Sequence, residues 1–270
     1  MTLPLLSPAR HIRHARHAAL VLLVSLAACG GGGSADGPGT GADAPAPAPA
    51  PTPAPAPAPG PSPAPSPSVP GALSPTYTGE GTFYGAMGGG NCTFDPSPDN
   101  LMVAAMNGPD YAGSAVCGQF VAVTGPKGAV TVRITDQCPE CKSGDLDLSA
   151  EAFARIADPV AGRVPIRWHV VPGDVSGPVR YRYKEGSSRW WVAIQVRNHR
   201  LPVTGLEIKP SGSADWIAVA RTDYNYFVHP SAIATGPLQV RITALGGATL
   251  IDTLPEPSDG VVIAGAGQFP

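Results

Sequence analysis

Val132-Arg133-Ile134-Thr135-Asp136-Gln137-Cys138-Pro139-Glu140-Cys141, followed by Gly144-Asp145-Leu146-Asp147-Leu148-Ser149, is the most informative stretch of this chain. A strand-like run from Ala129 to Thr135 leads in, and a helix-like run from Ser149 to Ala157 leads out. Between them lies a loop pinched by Cys138 and Cys141, with Asp136 and Asp147 around it. Paired carboxylates at a strand end are the raw material of acid/base chemistry on glycosidic bonds. Further along, Gly186-Ser187-Ser188-Arg189-Trp190-Trp191 holds two of the 4 tryptophans. An acidic site plus an aromatic pair points to carbohydrate, and leaves open whether the chain cuts it or only grips it.

Around this stretch the sequence is β-rich. Short runs at Gly81–Tyr84, Leu101–Met106, Gln119–Val123, Ala129–Thr135 and Val164–Val171 are broken by Gly and Pro. Asn107-Gly108-Pro109 signals a turn, and Gly125-Pro126-Lys127-Gly128 reads as a hairpin tip. The one helix, Ser149 to Ala157, has Ser149 as N-cap, Glu151 in its first turn and an apolar stripe of Ala152, Phe153 and Ile156. Many short strands and one helix predict a small closed barrel. A Gly/Pro hinge, Pro172 to Pro178, follows. Beyond it alternating runs at Val179–Tyr183, Trp190–Arg197, Gly205–Lys209, Trp216–Arg221, Leu238–Thr243 and Thr249–Asp252 predict a β-sandwich. Trp168 and Trp216 lie within alternating strands and read as core, while His199 and His229 read as surface or structural residues.

The N-terminus carries an export signature. Arg10, Arg13 and Arg16 precede an apolar core from Ala18 to Ala28 that is too short to span a bilayer comfortably, so residues 1–28 read as a signal peptide. Leu26-Ala27-Ala28-Cys29 resembles a bacterial lipobox, which would make Cys29 the lipid-bearing residue of an outer-membrane or surface lipoprotein. Residues 29–76 are a linker, first Gly-rich and then alternating Ala and Pro. Such a segment cannot build a core, and its polyproline stretch reaches roughly 80 Å if stiff. Two domains are expected after it, at residues 77–172 and 176–270.

Charge and cysteine usage narrow the classes. The chain has 18 Lys+Arg against 20 Asp+Glu, with no concentrated basic patch of the kind a nucleic-acid binder shows. With Cys29 assigned to lipid, Cys92, Cys117, Cys138 and Cys141 form an even set, which in an exported chain implies two disulfides. Three pairings are possible. Cys138–Cys141 with Cys92–Cys117 is preferred because a turn at Pro139 brings the first pair together. No His lies beside these sulfurs, so neither a metal site nor any other cofactor is expected.

Taken in order, these segments resemble the bacterial expansins over roughly 195 residues, from Gly79 to Phe269. Gly79-Glu80-Gly81-Thr82-Phe83-Tyr84-Gly85, Val123 to Gly128, and Thr135-Asp136 through Asp147-Leu148-Ser149 carry the first part of the likeness. Lys184 to Trp191, Ala193-Ile194-Gln195-Val196-Arg197-Asn198-His199 and Asp223-Tyr224-Asn225-Tyr226-Phe227 carry the second. The resemblance implies a mainly β chain: a six-stranded double-psi β-barrel related to family-45 glycoside hydrolases, followed by an immunoglobulin-like β-sandwich that binds carbohydrate. It puts Asp147 at the family's essential acid, with Asp136 and Thr82 lining the same groove and Tyr84 and Glu140 nearby. Trp190, Trp191 and Tyr224 fall on the aromatic platform, with Lys184 among the substrate contacts. Where the family often carries an aromatic beside the first aspartate, this chain has Cys138, which suggests that the disulfide shapes the groove.

Inverting hydrolysis needs an acid and a base on opposite faces of the sugar. In the hydrolases of this barrel the base is an Asp on the first strand; here that strand offers only Glu80, outside the matching position. The resemblance therefore implies a monomer that is not an enzyme and loosens polysaccharide contacts instead of cleaving them, with cellulose, xyloglucan-coated cellulose or peptidoglycan as partners. A glycanase (an endoglucanase or a peptidoglycan lytic enzyme) and a purely adhesive module are the competing classes. Simpler roles also stand beside the functional ones: Asp136 capping a turn, Asp147 capping the Ser149 helix. Neighbours on a regular strand face opposite ways, so Trp190 and Trp191 share a platform only if the backbone bulges at Gly186-Ser187-Ser188; otherwise one is core.

Overall fold

The computed structural model describes residues 71–270. The signal peptide, Cys29 and most of the proline-rich linker lie outside the described residues. The first half forms strands β1 (Tyr77–Tyr84), β2 (Val103–Asn107), β3 (Phe120–Gly125), β4 (Gly128–Cys138), β5 (Leu146–Ser149) and β6 (Val164–Val171). They close into a six-stranded barrel in the order β1-β5-β2-β4-β3-β6, with β6 returning to β1. β1 runs parallel to β5 and β2 parallel to β4, while the remaining neighbours are antiparallel. Parallel neighbours need crossover connections, so segments distant in sequence meet on one wall.

Period-two patterning fills the barrel. Along β6, Val164, Ile166, Trp168 and Val170 are buried and alternate with more exposed residues, and they pack with Val121, Val132, Ile134 and Leu148. Trp168 is core as expected: it stacks on Tyr77 at 4.2 Å and donates its indole N–H to the Gly144 carbonyl at 2.8 Å. The β3–β4 connection is the expected hairpin, with Gly125 paired to Gly128. Helix α2 (Ala150–Ile156) starts where its cap predicts, since Ser149 Oγ accepts from Ala152 N–H at 3.0 Å. Its stripe of Ala152, Phe153 and Ile156 is fully buried against the barrel.

The second half forms β7 (Arg180–Tyr183), β8 (Val192–Arg197), β9 (Val203–Pro210), β10 (Ile217–Arg221), β11 (Phe227–His229), β12 (Leu238–Ala244), β13 (Thr249–Leu254) and β14 (Val262–Ala264). All neighbours are antiparallel, in the order β13-β12-β9-β10-β11-β8-β7-β14. This sheet folds over its own core. Tyr181, Tyr183 and Ile194 on β7 and β8 pack with Leu206, Ile208, Val240 and Ile242 on β9 and β12, which makes two layers.

Several expectations need correcting. Leu146–Ser149 is a strand rather than loop, because Leu146 and Leu148 insert into the core while Asp147 faces the other way. Asn107-Gly108-Pro109 opens a one-turn helix, α1 (Gly108–Tyr111), in which the Asn107 side chain accepts from Asp110 N–H at 2.8 Å. β11 and β14 have only three residues each, too few for an alternating pattern to register. Trp190 and Trp191 precede β8 instead of opening it. Trp216 is outside the core: it lies half-buried on the sandwich surface with the Arg241 guanidinium 4.5 Å and the Lys209 ammonium 5.1 Å from its ring. Cation–ring contact gives that indole partners without burial between the sheets.

Candidate functional site

Register brings the acidic residues together. Thr82 on β1 pairs with Asp147 on β5, Asp147 pairs with Ala105 on β2, and Ala105 pairs with Asp136 on β4. The two aspartates thus sit in one transverse row with a single small residue between them, about 10 Å apart along the backbone at two strand spacings. Thr82 Oγ1 donates to Asp147 Oδ1 at 2.5 Å. Burial raises the pKa of Asp147, the Thr82 hydrogen bond opposes that rise, and the negative charges of Glu140 and Asp136 add to it. Ser149 caps α2, so Asp147 is free of that duty.

Asp136 is held differently. Its Oδ1 accepts from Asn91 N–H at 2.7 Å and from Gln137 N–H at 2.8 Å, and its Oδ2 accepts from the Tyr84 hydroxyl at 3.5 Å. Burial, followed by the charges of Asp136 and Asp147, raises the Tyr84 phenol's pKa, so it stays a neutral donor. The approach of Asn91 depends on Gly90: a Cβ there would fall 2.2 Å from Asp136 Cγ, and the backbone adopts φ +150°. Asn91 was not legible as a site residue, although the run Gly88-Gly89-Gly90 was a signal of close backbone approach.

Both expected disulfides are present, with Cα separations of 5.5 Å for Cys92–Cys117 and 5.4 Å for Cys138–Cys141. The first closes the longer loop; in the chain-entropy picture it contributes about 3.5 kcal/mol against about 2 kcal/mol for the second. Tyr111 seals it, with its hydroxyl 3.2 Å from Cys117 Sγ, and burial pushes that phenol's pKa up to about 12. Among the described residues no group of three His, Cys, Asp or Glu side chains is placed to hold a metal ion.

Aromatic rings crowd the other half. Ser188 and Trp191 exchange backbone hydrogen bonds of 3.0 and 3.1 Å, so Arg189 and Trp190 form a two-residue tip. That turn puts Trp190 at 61% exposure and leaves Trp191 half-buried, with neither in the core. Arg189 stacks on one face of Trp190 at 3.9 Å. Tyr224 is half-buried beside Tyr226 at 6.0 Å, and the Lys184 ammonium lies 5.9 Å from the Tyr226 ring.

Hydrogen bonds tie the two sets together. Asn91 Nδ2 donates to the Asp223 carbonyl at 3.2 Å and to the Tyr111 hydroxyl at 3.0 Å, while Thr93 Oγ1 donates to the Tyr224 carbonyl at 2.9 Å. Gln195 and Asn225 both donate to the Cys92 carbonyl, at 2.9 and 3.1 Å. His199 is buried behind Gly118, where a Cβ would fall 2.5 Å from its Nε2; its Nδ1 lies 2.9 Å from the Leu201 carbonyl, and burial holds its pKa down at about 4. It is structural, as expected.

Comparison with known proteins fits this arrangement. A family model described as lytic transglycolase matches residues 104–168, within the barrel. Expansin-YoaJ of Bacillus subtilis (strain 168) is 42% identical over 204 residues, covering 72% of this chain and 84% of that protein. The chain belongs to the expansin family. Expansin-like protein 5 of Dictyostelium discoideum is 35% identical over 199 residues, covering 70% of this chain and 83% of that protein. The crystal structure of apo Clavibacter michiganensis expansin superposes with a TM-score of 0.66 at 39% identity, covering 72% of this chain and 97% of that one. A mutant of that expansin, solved in complex with cellohexaose, gives a TM-score of 0.67 at 38% identity, with the same coverage. Membership makes this chain a polysaccharide-binding, wall-loosening protein that acts without enzymatic cleavage, as expansins do, at the cell surface or outside the cell.

Proposed function

We propose that the chain grips a flat β-glucan surface, cellulose first, through Trp190, Trp191 and Tyr224, and works on single glucan strands along the row Thr82–Asp147–Ala105–Asp136. The Clavibacter relative's complex with cellohexaose supports an extended glucan as the ligand class. One observation carries the absence of cleavage: Asp136, the carboxylate that shares the row with Asp147, already accepts two backbone N–H groups on one oxygen. That oxygen's lone pairs are spent on holding the loop, and the other oxygen faces the Tyr84 hydroxyl, so the carboxylate is engaged with the protein rather than with water. Asp147, raised in pKa beside the Thr82 hydroxyl, offers and accepts hydrogen bonds that compete with those between glucan chains. Lys184, Tyr84 and Glu140 serve as flanking contacts.

The same reading takes the protein as an exported monomer, tethered through a lipid on Cys29 to the outer membrane, with xyloglucan-coated cellulose and peptidoglycan as further surfaces. The test pairs two measurements on the purified protein. Strips of cellulosic wall held under load should extend on its addition, while soluble reducing ends and released muropeptides stay at the buffer level. Oligosaccharides accumulating in step with extension would overturn the reading.

A further inference from the structure

Arg133 sits in the middle of the barrel wall, paired in register with Val103 on β2 and Phe120 on β3. Its side chain points away from the core into a trench where the barrel meets residues 174–176 and the sandwich. Two cavities of about 480 and 440 Å³ make up this trench, and both are lined by Ser97, Arg133 and Asn198. Phe120 and Val175 supply apolar surface in the first, and Arg180, Arg197 and Val262 line the second.

Arg133 differs from other half-buried arginines. Arg182 and Arg197 both pair with Asp95, Arg241 pairs with Glu207, and Arg221 donates to the carbonyls of Ser114 and Val203. Among the described residues the Arg133 guanidinium has no carboxylate and no hydrogen-bond acceptor; it rests on the Phe94 ring at 5.0 Å, a ring Arg197 also approaches at 5.9 Å. Burial and the charge of Arg197 both lower its pKa, which marks an uncompensated cation. Arg180, on the same cavity, is exposed and likewise lacks an acidic partner among the described residues. Asp95 is committed to its two arginines, and Asp174, which lines the first cavity, forms no ion pair with Arg133.

We propose that this trench is a second ligand site, which takes an anionic group, a carboxylate or a phosphate, carried on a wall glycan. Arg133 is its principal contact and Arg180 its outer one. The guanidinium fork offers paired donors to either anion. Asn198 Oδ1 and Ser97 Oγ can accept from sugar hydroxyls, their own donors being committed to the carbonyls of Ser176, Pro178 and Asn100, and Phe120 and Val262 supply an apolar flank. The glycan context rests on the proposed function above. The site itself does not use Trp190, Trp191 or Tyr224.

Calorimetric titration of the full protein with oligogalacturonate, inorganic phosphate and cellohexaose tests this. Arg133→Gln should weaken oligogalacturonate or phosphate at least about tenfold, or 1.4 kcal/mol. Arg180→Gln, an exposed change that leaves folding alone, should weaken it by about threefold. Neither should alter cellohexaose affinity. Loss confined to oligogalacturonate assigns a uronate ligand, and loss confined to phosphate assigns a phosphate-bearing polymer. Oligogalacturonate binding that persists where cellohexaose does not bind at all supports the trench while refuting the aromatic platform. Unchanged affinity of both variants for both anions, or no anion binding by the parent protein, overturns the proposal.

Discussion

The barrel row and the tryptophan tip solve opposite problems. In the row every polar side chain has a partner: Thr82 on Asp147, Tyr84 on Asp136, Asn91 across to the sandwich. At the tip, Trp190 stands mostly in solvent with only Arg189 against it. The row is therefore organised before any ligand arrives, at a cost in desolvation that raises the Asp147 pKa. The tip leaves its largest apolar ring uncovered, and under the proposed function that ring is what meets the flat face of a sugar. Function at the row should depend on which atoms are present, and function at the tip on how much surface is.

The largest effect should come from Asp147→Asn, which keeps the shape and removes the acid. Wall extension should fall at least about tenfold in a creep assay while cellulose binding stays unchanged. The sign of the stability effect follows from the raised pKa. Asp147 favours the fold below the ordinary carboxylate pKa, and that contribution is lost as pH rises through its raised folded value. The variant, neutral at every pH, should be no less stable than the parent at pH 7 in urea unfolding. Full creep activity in the variant would erase the distinction between the two regions.

Next comes His199, buried at the junction where the second half packs on Gly118 of the first. Its folded pKa of about 4 lies below the unfolded 6.5, so its stabilising contribution is present above 6.5 and is lost as pH falls toward 4. The loss is on the order of 3 kcal/mol. Proton NMR titration of the His199 ring should show no protonation between pH 7 and 5; a midpoint near 6.5 would mean that the junction opens to water. Trp190→Ala should weaken cellulose binding by about 1 kcal/mol, roughly fivefold, without shifting the melting temperature. Smallest of all, added salt should change cellulose binding by less than about twofold, since ring stacking carries little charge.

Much of this was legible in the chain. β6 matched its alternating pattern residue for residue because one of its faces is wholly buried. Ser149 announced α2 because cap chemistry is local. Asp136 and Asp147 stood out as a pair, yet nothing local says that β5 pairs with β1 and β2 to put them in one row. That register is a long-range fact. Asn91 escaped notice because it acts through its backbone N–H, which every residue but proline possesses. Trp216 misled because alternation cannot distinguish a ring buried between sheets from one covered by Arg241 and Lys209.

The Asn91 bridge has a mechanical consequence. Its main-chain amide steadies Asp136 while its side chain holds the main chain at Asp223, one residue before Tyr224. A fibril dragging on the tyrosine turn would tug on the same short strut that fixes the carboxylate. Displacement at the crystalline surface would thus be felt in the cleft through peptide atoms, and trimming the Tyr224 ring would weaken the handhold but leave the linkage whole.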